Sequence, residues 1–199
     1  MQTRSEETHQ RILTTALEMF GKDGYDATGV AEICAGARVS KGAFYHHFPT
    51  KQAVFLALMD GWLANLDSQM QNARLTTRNV PEGLTAMAGM TEDLFNASKD
   101  RYAIIFEFWM QASRQPEIWQ AAIAPYHRYQ DLFARIIQNG IDEGSLDEKT
   151  IPGDAARVLL ALVMGLLLQA YFDPESAAWG GVVQEGMRMF IEGIRRRPL

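Results

Sequence analysis

Apolar residues recur at three- and four-residue spacing along most of the chain, the period of an amphipathic helix. No segment shows a convincing two-residue alternation of a half-buried strand. The first stripe, Ile12, Leu13, Ala16, Leu17 and Phe20, predicts a helix over about 6–23 that Gly24 ends. Val30, Ile33, Cys34 and Ala37 form a second, with Thr28 as its expected N-cap. Ser40 caps a third, over 41–47, which Pro49 closes. Thr50 opens a fourth, over about 51–72, with Val54, Phe55, Leu58, Met59, Trp62 and Leu63 on its inner face. Beyond a polar linker over 75–80, helices are expected over 81–98, 101–113, 116–140, 152–172 and 174–196. The fold class this predicts is all-α.

The segment 25–51 carries two short helices broken by a tight turn, the layout of a helix-turn-helix. The second helix of such a unit enters the DNA major groove with its N-terminal residues toward base edges. Two turns are too few for independent stability, since isolated helices need roughly 12–15 residues. Packing must therefore hold it, with Val39, Phe44 and Phe48 as the expected anchors. The remaining residues are candidates for DNA. Gly42 and Ala43 permit close approach, and Ala43 suits a thymine methyl. Ser40, Lys41, Tyr45, His46 and His47 offer donors, and Lys51 sits where free helix N–H groups suit a phosphate.

Phe20, Gly24, Tyr25, Thr28 and Ile33, then Val39-Ser40-Lys41-Gly42, Phe44-Tyr45-His46-His47-Phe48 and Lys51, form a long ordered pattern over about 8–55. It resembles the TetR family of bacterial transcriptional regulators. The resemblance implies an N-terminal three-helix DNA-binding domain, here 1–51, and a C-terminal helical ligand-binding and dimerisation domain, 52–199. It also implies that Thr28, Lys41, Ala43, Tyr45, His46 and Lys51 face DNA. The chain departs from the pattern at Arg38, where family members usually carry glycine. A helix C-terminus favours a left-handed residue there, which arginine adopts at a cost of about 1 kcal/mol. Arg38 is either a phosphate contact or a solvated turn residue.

Charge adds little to this picture. The 199 residues carry a net −5, yet six basic and six acidic residues balance over 1–51. DNA binding must then rest on a local face rather than a global field. The 47% hydrophobic content suffices for a globular core. The single cysteine, Cys34, allows no intramolecular disulfide and lies on an apolar stripe, which favours a buried small hydrophobe over a redox sensor. A cytoplasmic location fits this and the polar N-terminus, which does not read as a signal peptide.

Aromatic residues crowd the stretch 62–133. Their spacing alone is that of core, but the resemblance implies a small-molecule effector site in this region. Trp62, Phe95, Phe106, Trp109, Met110 and Tyr126 are the candidates, and their chemistry suits a mostly apolar ligand. The run 158–168 is wholly apolar but shorter than the roughly 20 residues of a bilayer span. It reads as a buried or interface helix rather than a membrane one. With the last helix it looks like half of a four-helix bundle, and the resemblance implies that a second subunit completes it. The candidate dimer residues are Val158, Ala161, Leu162, Gly165, Met187, Phe190 and Ile194.

Enzyme chemistry finds no support. There is no glycine-rich phosphate loop, no metal-ligand spacing and no expected cofactor, and adjacent His46 and His47 point apart on a helix. The expected function is a ligand-responsive repressor that leaves a palindromic DNA operator when a small molecule binds. The alternative is a helical small-molecule-binding protein with a degenerate DNA unit.

Overall fold

The computed structural model describes residues 2–96, 99–173, 175 and 178–196, with side chains described outside 2–3 and 91–103. Among the described residues there are nine α-helices and no strand, only an isolated bridge between Leu146 and Arg195. They are α1 (Gln2–Asp23), α2 (Val30–Ala37), α3 (Lys41–His47), α4 (Lys51–Thr76), α5 (Val80–Asn96), α6 (Lys99–Ala112), α7 (Pro116–Asp142), α8 (Pro152–Phe172) and α9 (Trp179–Ile194). The all-α expectation holds. Helix α4 runs four residues further than its pattern suggested, leaving only 77–79 as linker, and α9 starts at Trp179 rather than near 174.

The chain forms two compact units, residues 1–65 with 100–122, and residues 66–99 with 123–199. In the first, α1, α2, α3, the start of α4 and α6 share one core. Phe20, Tyr25, Ile33, Phe44, Phe55 and Phe108 lie at its centre, each at most 1% exposed. Phe55 and Phe108 stack at 3.8 Å between ring centroids, and the Tyr25 ring meets both edge-on at 5.6 and 5.3 Å. Cys34 is buried in this core, and desolvation raises its thiol pKa, as suits a packing residue.

In the second unit, Ile137, Leu146, Ala155 and Ala156 are buried together, with Phe190 and Ile194 packed against them. Helix α9 also lies against α8, where Gly186 faces Leu162; a Cβ there would sit 3.4 Å from Leu162 Cδ1. Met187 is 4% exposed, a core residue of the single chain, which corrects its assignment to a dimer face. Its position on the inward side of α9 is the reason. The outward side of the pair is different: Val158 (57% exposed), Phe172 (71%) and Met189 (63%) are apolar and uncovered.

The chain's turns follow from specific residues. Gly24 ends α1 at φ +87°, its N–H donating to the Phe20 carbonyl. The α2–α3 turn is a Schellman motif: the Arg38 N–H donates to Ala35 O and the Val39 N–H to Cys34 O. Arg38 occupies its left-handed position at φ 54°, the one non-glycine residue at positive φ among those described. Arg38→Gly should therefore raise stability by about 0.5–1 kcal/mol. That is left-handed strain of ~1–2 kcal/mol less the added freedom of glycine when unfolded, ~0.4–1 kcal/mol. Thermal denaturation should show a midpoint higher by roughly 1–4 °C; a fall would mean that the Arg38 side chain stabilises the turn.

Candidate nucleic-acid interface

The reading helix is built as its sequence demands. Ser40 adopts extended backbone and its Oγ accepts from the Ala43 N–H at 3.1 Å, satisfying one of the orphan donors of α3. Phe44 is fully buried and Phe48 nearly so, which anchors the inner side of these two turns. Lys41, Gly42, Tyr45 and His46 lie exposed on the other side, with Ala43 half-buried between them. Pro49 follows the C-cap Phe48, and Thr50 Oγ1 accepts from the Ala53 N–H at 3.1 Å to start α4.

His47 is half-buried. Its ring lies 5.8 Å from that of His9, which in turn stacks on Phe48 at 4.6 Å. Desolvation, then the charges of His46 and His9, lower the His47 pKa. It packs toward α1 rather than standing free beside His46. Arg38 is exposed at the head of the turn.

Two candidates sit elsewhere than their assignment required. Thr28 does not cap α2. The N-cap is Gly29, without a side-chain cap, and the Glu32 carboxylate folds back over it from the third helical position. Thr28 is 3% exposed, and its Oγ1 donates to Gly24 O at 2.8 Å. Its hydroxyl closes the loop that precedes α2 instead of facing outward. Lys51 is likewise turned inward. Its Nζ donates to the carbonyls of Tyr25 (2.7 Å), Thr28 (2.9 Å) and Asp26 (3.3 Å), and lies 4.3 Å from the Tyr25 ring centroid. Three acceptors use all three ammonium protons, so none is left for a phosphate. Desolvation lowers the Lys51 pKa, while Asp26 and Glu107 oppose the shift.

Sequence reasoning missed the group on the far side of this loop. The Tyr25 N–H donates to Glu107 Oε2 at 2.6 Å, and Glu107 stands on α6. A charge-assisted bond therefore holds each polar group of the Tyr25 main chain, the N–H by a carboxylate and the C=O by an ammonium. The Tyr25 hydroxyl is buried with no partner among the described residues, and burial raises its pKa. No sequence signal joins residues 25 and 107.

The effector candidates are spread. Trp62, Phe106 and Trp109 are half-buried in the first unit, and Met110 is 66% exposed. Phe106 and Trp109 pack edge-on at 6.0 Å, and the buried Trp109 Nε1 has no acceptor among the described residues. Tyr126 belongs to the second unit, and Phe95 lies outside the residues whose side chains are described. A cavity of ≈190 Å³ in the second unit is polar, lined by Arg74, Arg78, Asn79, Asn139 and Glu143 over Met87 and Ile136; none of the effector candidates lines it.

A capped two-turn helix, anchored by buried aromatics and joined to its predecessor by a Schellman turn, defines a helix-turn-helix DNA-binding protein. The chain belongs to the tetR family of bacterial regulatory proteins, whose model matches residues 12–58; residues 80–194 match that of the BetI-type transcriptional repressor C-terminal region. Members are transcriptional regulators rather than enzymes. The chain is 25% identical to the HTH-type transcriptional regulator UidR of Escherichia coli over 98% of its own length and 96% of that protein's. It is 24% identical to the A-factor receptor protein of Streptomyces griseus, over 97% and 66%. Its fold matches a transcriptional regulator from Saccharomonospora viridis solved with choline (TM-score 0.81, 21% identity, 96% and 100% covered) and the fatty acid degradation regulator FadR of Bacillus halodurans (0.79, 15%, 96% and 97%).

These positions separate two lysines. Lys41→Ala should weaken operator binding and relax discrimination at one base position by about 1–3 kcal/mol, whereas Lys51→Met should leave the salt slope of DNA affinity unchanged and lower the melting temperature. Unaltered affinity and base discrimination in Lys41→Ala would remove Lys41 from the interface. The lowered His47 pKa has its own signature. A folded value below the unfolded ~6.5 means that its contribution is complete above that pH and is lost as pH falls toward the folded value. Between pH 7 and 5 the wild type should lose more stability than His47→Gln.

Proposed function

We propose that this chain is a homodimeric, ligand-responsive repressor acting on DNA in the cytoplasm. Residues 1–51 read the operator and residues 52–199 bind the effector and dimerise. The observation that carries the reading is the outer side of α3, where Lys41, Gly42, Tyr45 and His46 lie exposed while Phe44 fixes the inner side. Lys41, Ala43 and His46 face bases, and each good base contact is worth about 1–3 kcal/mol of discrimination. Tyr45 and Arg38 hold phosphates. Ser40 and Gly42 serve by capping and by close approach, and His47 by supporting His46. Repression is favoured by the match to the BetI-type repressor region.

Dimerisation is supported by the uncovered apolar side of α8 and α9. Val158 and Ala161 are exposed, and a Cβ added at Gly165 would meet nothing within 4 Å. A second copy would cover these residues together with Met189 and Phe172, while Leu162, Phe190 and Ile194 support the face from within. Helix α8 is long and apolar enough to span a bilayer, with 22% of its apolar window buried. Its place in a family of dimeric DNA-binding regulators favours a protein partner over a lipid one.

The effector reading rests on the aromatic and sulfur-bearing surface of Trp62, Phe106, Trp109 and Met110 in the first unit. It suits a mostly apolar molecule, and one hydrogen-bond acceptor would satisfy the orphan Trp109 indole. Choline, which the Saccharomonospora viridis regulator was solved with, is a first probe, since aromatic faces attract quaternary ammonium groups.

A gel-shift assay on the DNA upstream of the gene tests the reading directly. The protein should retard it at low salt, and an effector should release it by a factor of about 5–150. No retardation of any upstream fragment would favour a ligand-binding protein with a degenerate DNA unit. Val158→Glu with Met189→Glu should convert a dimer to a monomer in sedimentation; an unchanged mass would exclude this face.

A further inference from the structure

We propose that Glu107 is a positioning residue for operator binding, tying the α1–α2 turn, and with it the reading helix, to α6 through the Tyr25 amide. The inference rests on the DNA-binding reading above and concerns a residue 82 positions away from the turn it holds.

The turn has little structure of its own. It runs from Gly24 at φ +87° to Gly29, and within it the Thr28 hydroxyl reaches back to Gly24 O. Apart from the buried Tyr25 ring, the groups that fix it are charged and come from outside. Glu107 accepts the Tyr25 N–H at 2.6 Å. Its Oε1 lies so close under Gly24 that a Cβ there would sit 3.1 Å away. On the other side Lys51 gathers three carbonyls of the same turn and feels the negative charge of Glu107. The carboxylate therefore acts twice, as acceptor for Tyr25 and as counter-charge for the ammonium that clamps the rest of the turn.

Helix α2 starts immediately after this turn, and the Schellman motif joins it to α3. A shift of Tyr25 is thus passed to the DNA-facing residues through two short helices with no long linker to absorb it. Glu107 also shares α6 with Phe106, Trp109 and Met110. A ligand contacting those neighbours acts on the helix that carries the Glu107 carboxylate, and can change operator affinity without touching the reading helix.

The test uses full-length Glu107→Ala and Glu107→Gln. In Glu107→Ala, hydrogen exchange at the Tyr25 amide should accelerate by at least about tenfold while amides of α8 keep their wild-type rates. Operator affinity should fall by about tenfold with an unchanged salt slope, because no phosphate contact is lost. Glu107→Gln keeps an oxygen acceptor for Tyr25 but loses the counter-charge for Lys51, and should recover part of the protection and affinity. Unchanged Tyr25 exchange in Glu107→Ala, or a glutamine variant as impaired as alanine, would overturn the proposal. So would a loss of affinity accompanied by uniformly faster exchange and a lower melting temperature, the mark of a purely structural role. The exchange is read on the free protein and decides the Glu107 contact by itself. Failure of the wild type to bind DNA would instead strike the regulator reading.

Discussion

The main chain of Tyr25 is held at both ends by charge: its N–H by the Glu107 carboxylate, its carbonyl by the Lys51 ammonium. Around this peptide the first unit is organised. The Tyr25 ring fills the centre of the core against Phe20, Phe55 and Phe108, and Lys51 lies over its face. One residue thus carries an apolar anchor and two charge-assisted bonds, each stronger than a neutral hydrogen bond. Three chain segments, 24–28, the start of α4 and the middle of α6, meet there by polar contact.

That constraint explains how so short a reading helix works. Helix α3 has seven residues and cannot persist alone. Ser40 satisfies its N-terminus, Phe44 and Phe48 bury its inner side, and the Schellman turn fixes it to α2. The base of α2 is in turn set by the clamped loop. With the charge of 1–51 balanced, DNA affinity depends on where a few exposed groups sit, so positional precision replaces net charge.

What was legible in the sequence was local. Gly24, Ser40, Thr50 and Pro49 act within three or four residues of themselves, and apolar spacing marked the helices, so α3 appears at its expected bounds. Thr28 and Lys51 were misplaced because their partners are set by tertiary structure. Lys51 looks like a solvated first-turn cation until the 25–28 carbonyls are brought beneath it, and Thr28 looks like a cap until the loop folds it inward. Met187 shares a helix with exposed Met189, and only packing tells which of the two is core. Nothing in the sequence joined Glu107 to residue 25, because the contact spans 82 positions and is set by packing. The Arg38 conformation, by contrast, followed from the turn type alone.

In the proposed function, the outer side of α3 reads DNA as one half of a two-fold pair. Hydroxyl-radical footprinting of the upstream region at moderate salt tests it most directly. Two protected tracts are expected, related by a palindrome and centred about one helical turn, roughly 34–36 Å, or a multiple of it apart. Protection should disappear for a Lys41→Ala, His46→Ala protein that still folds. A single unpaired tract, or protection indifferent to those two substitutions, would contradict it.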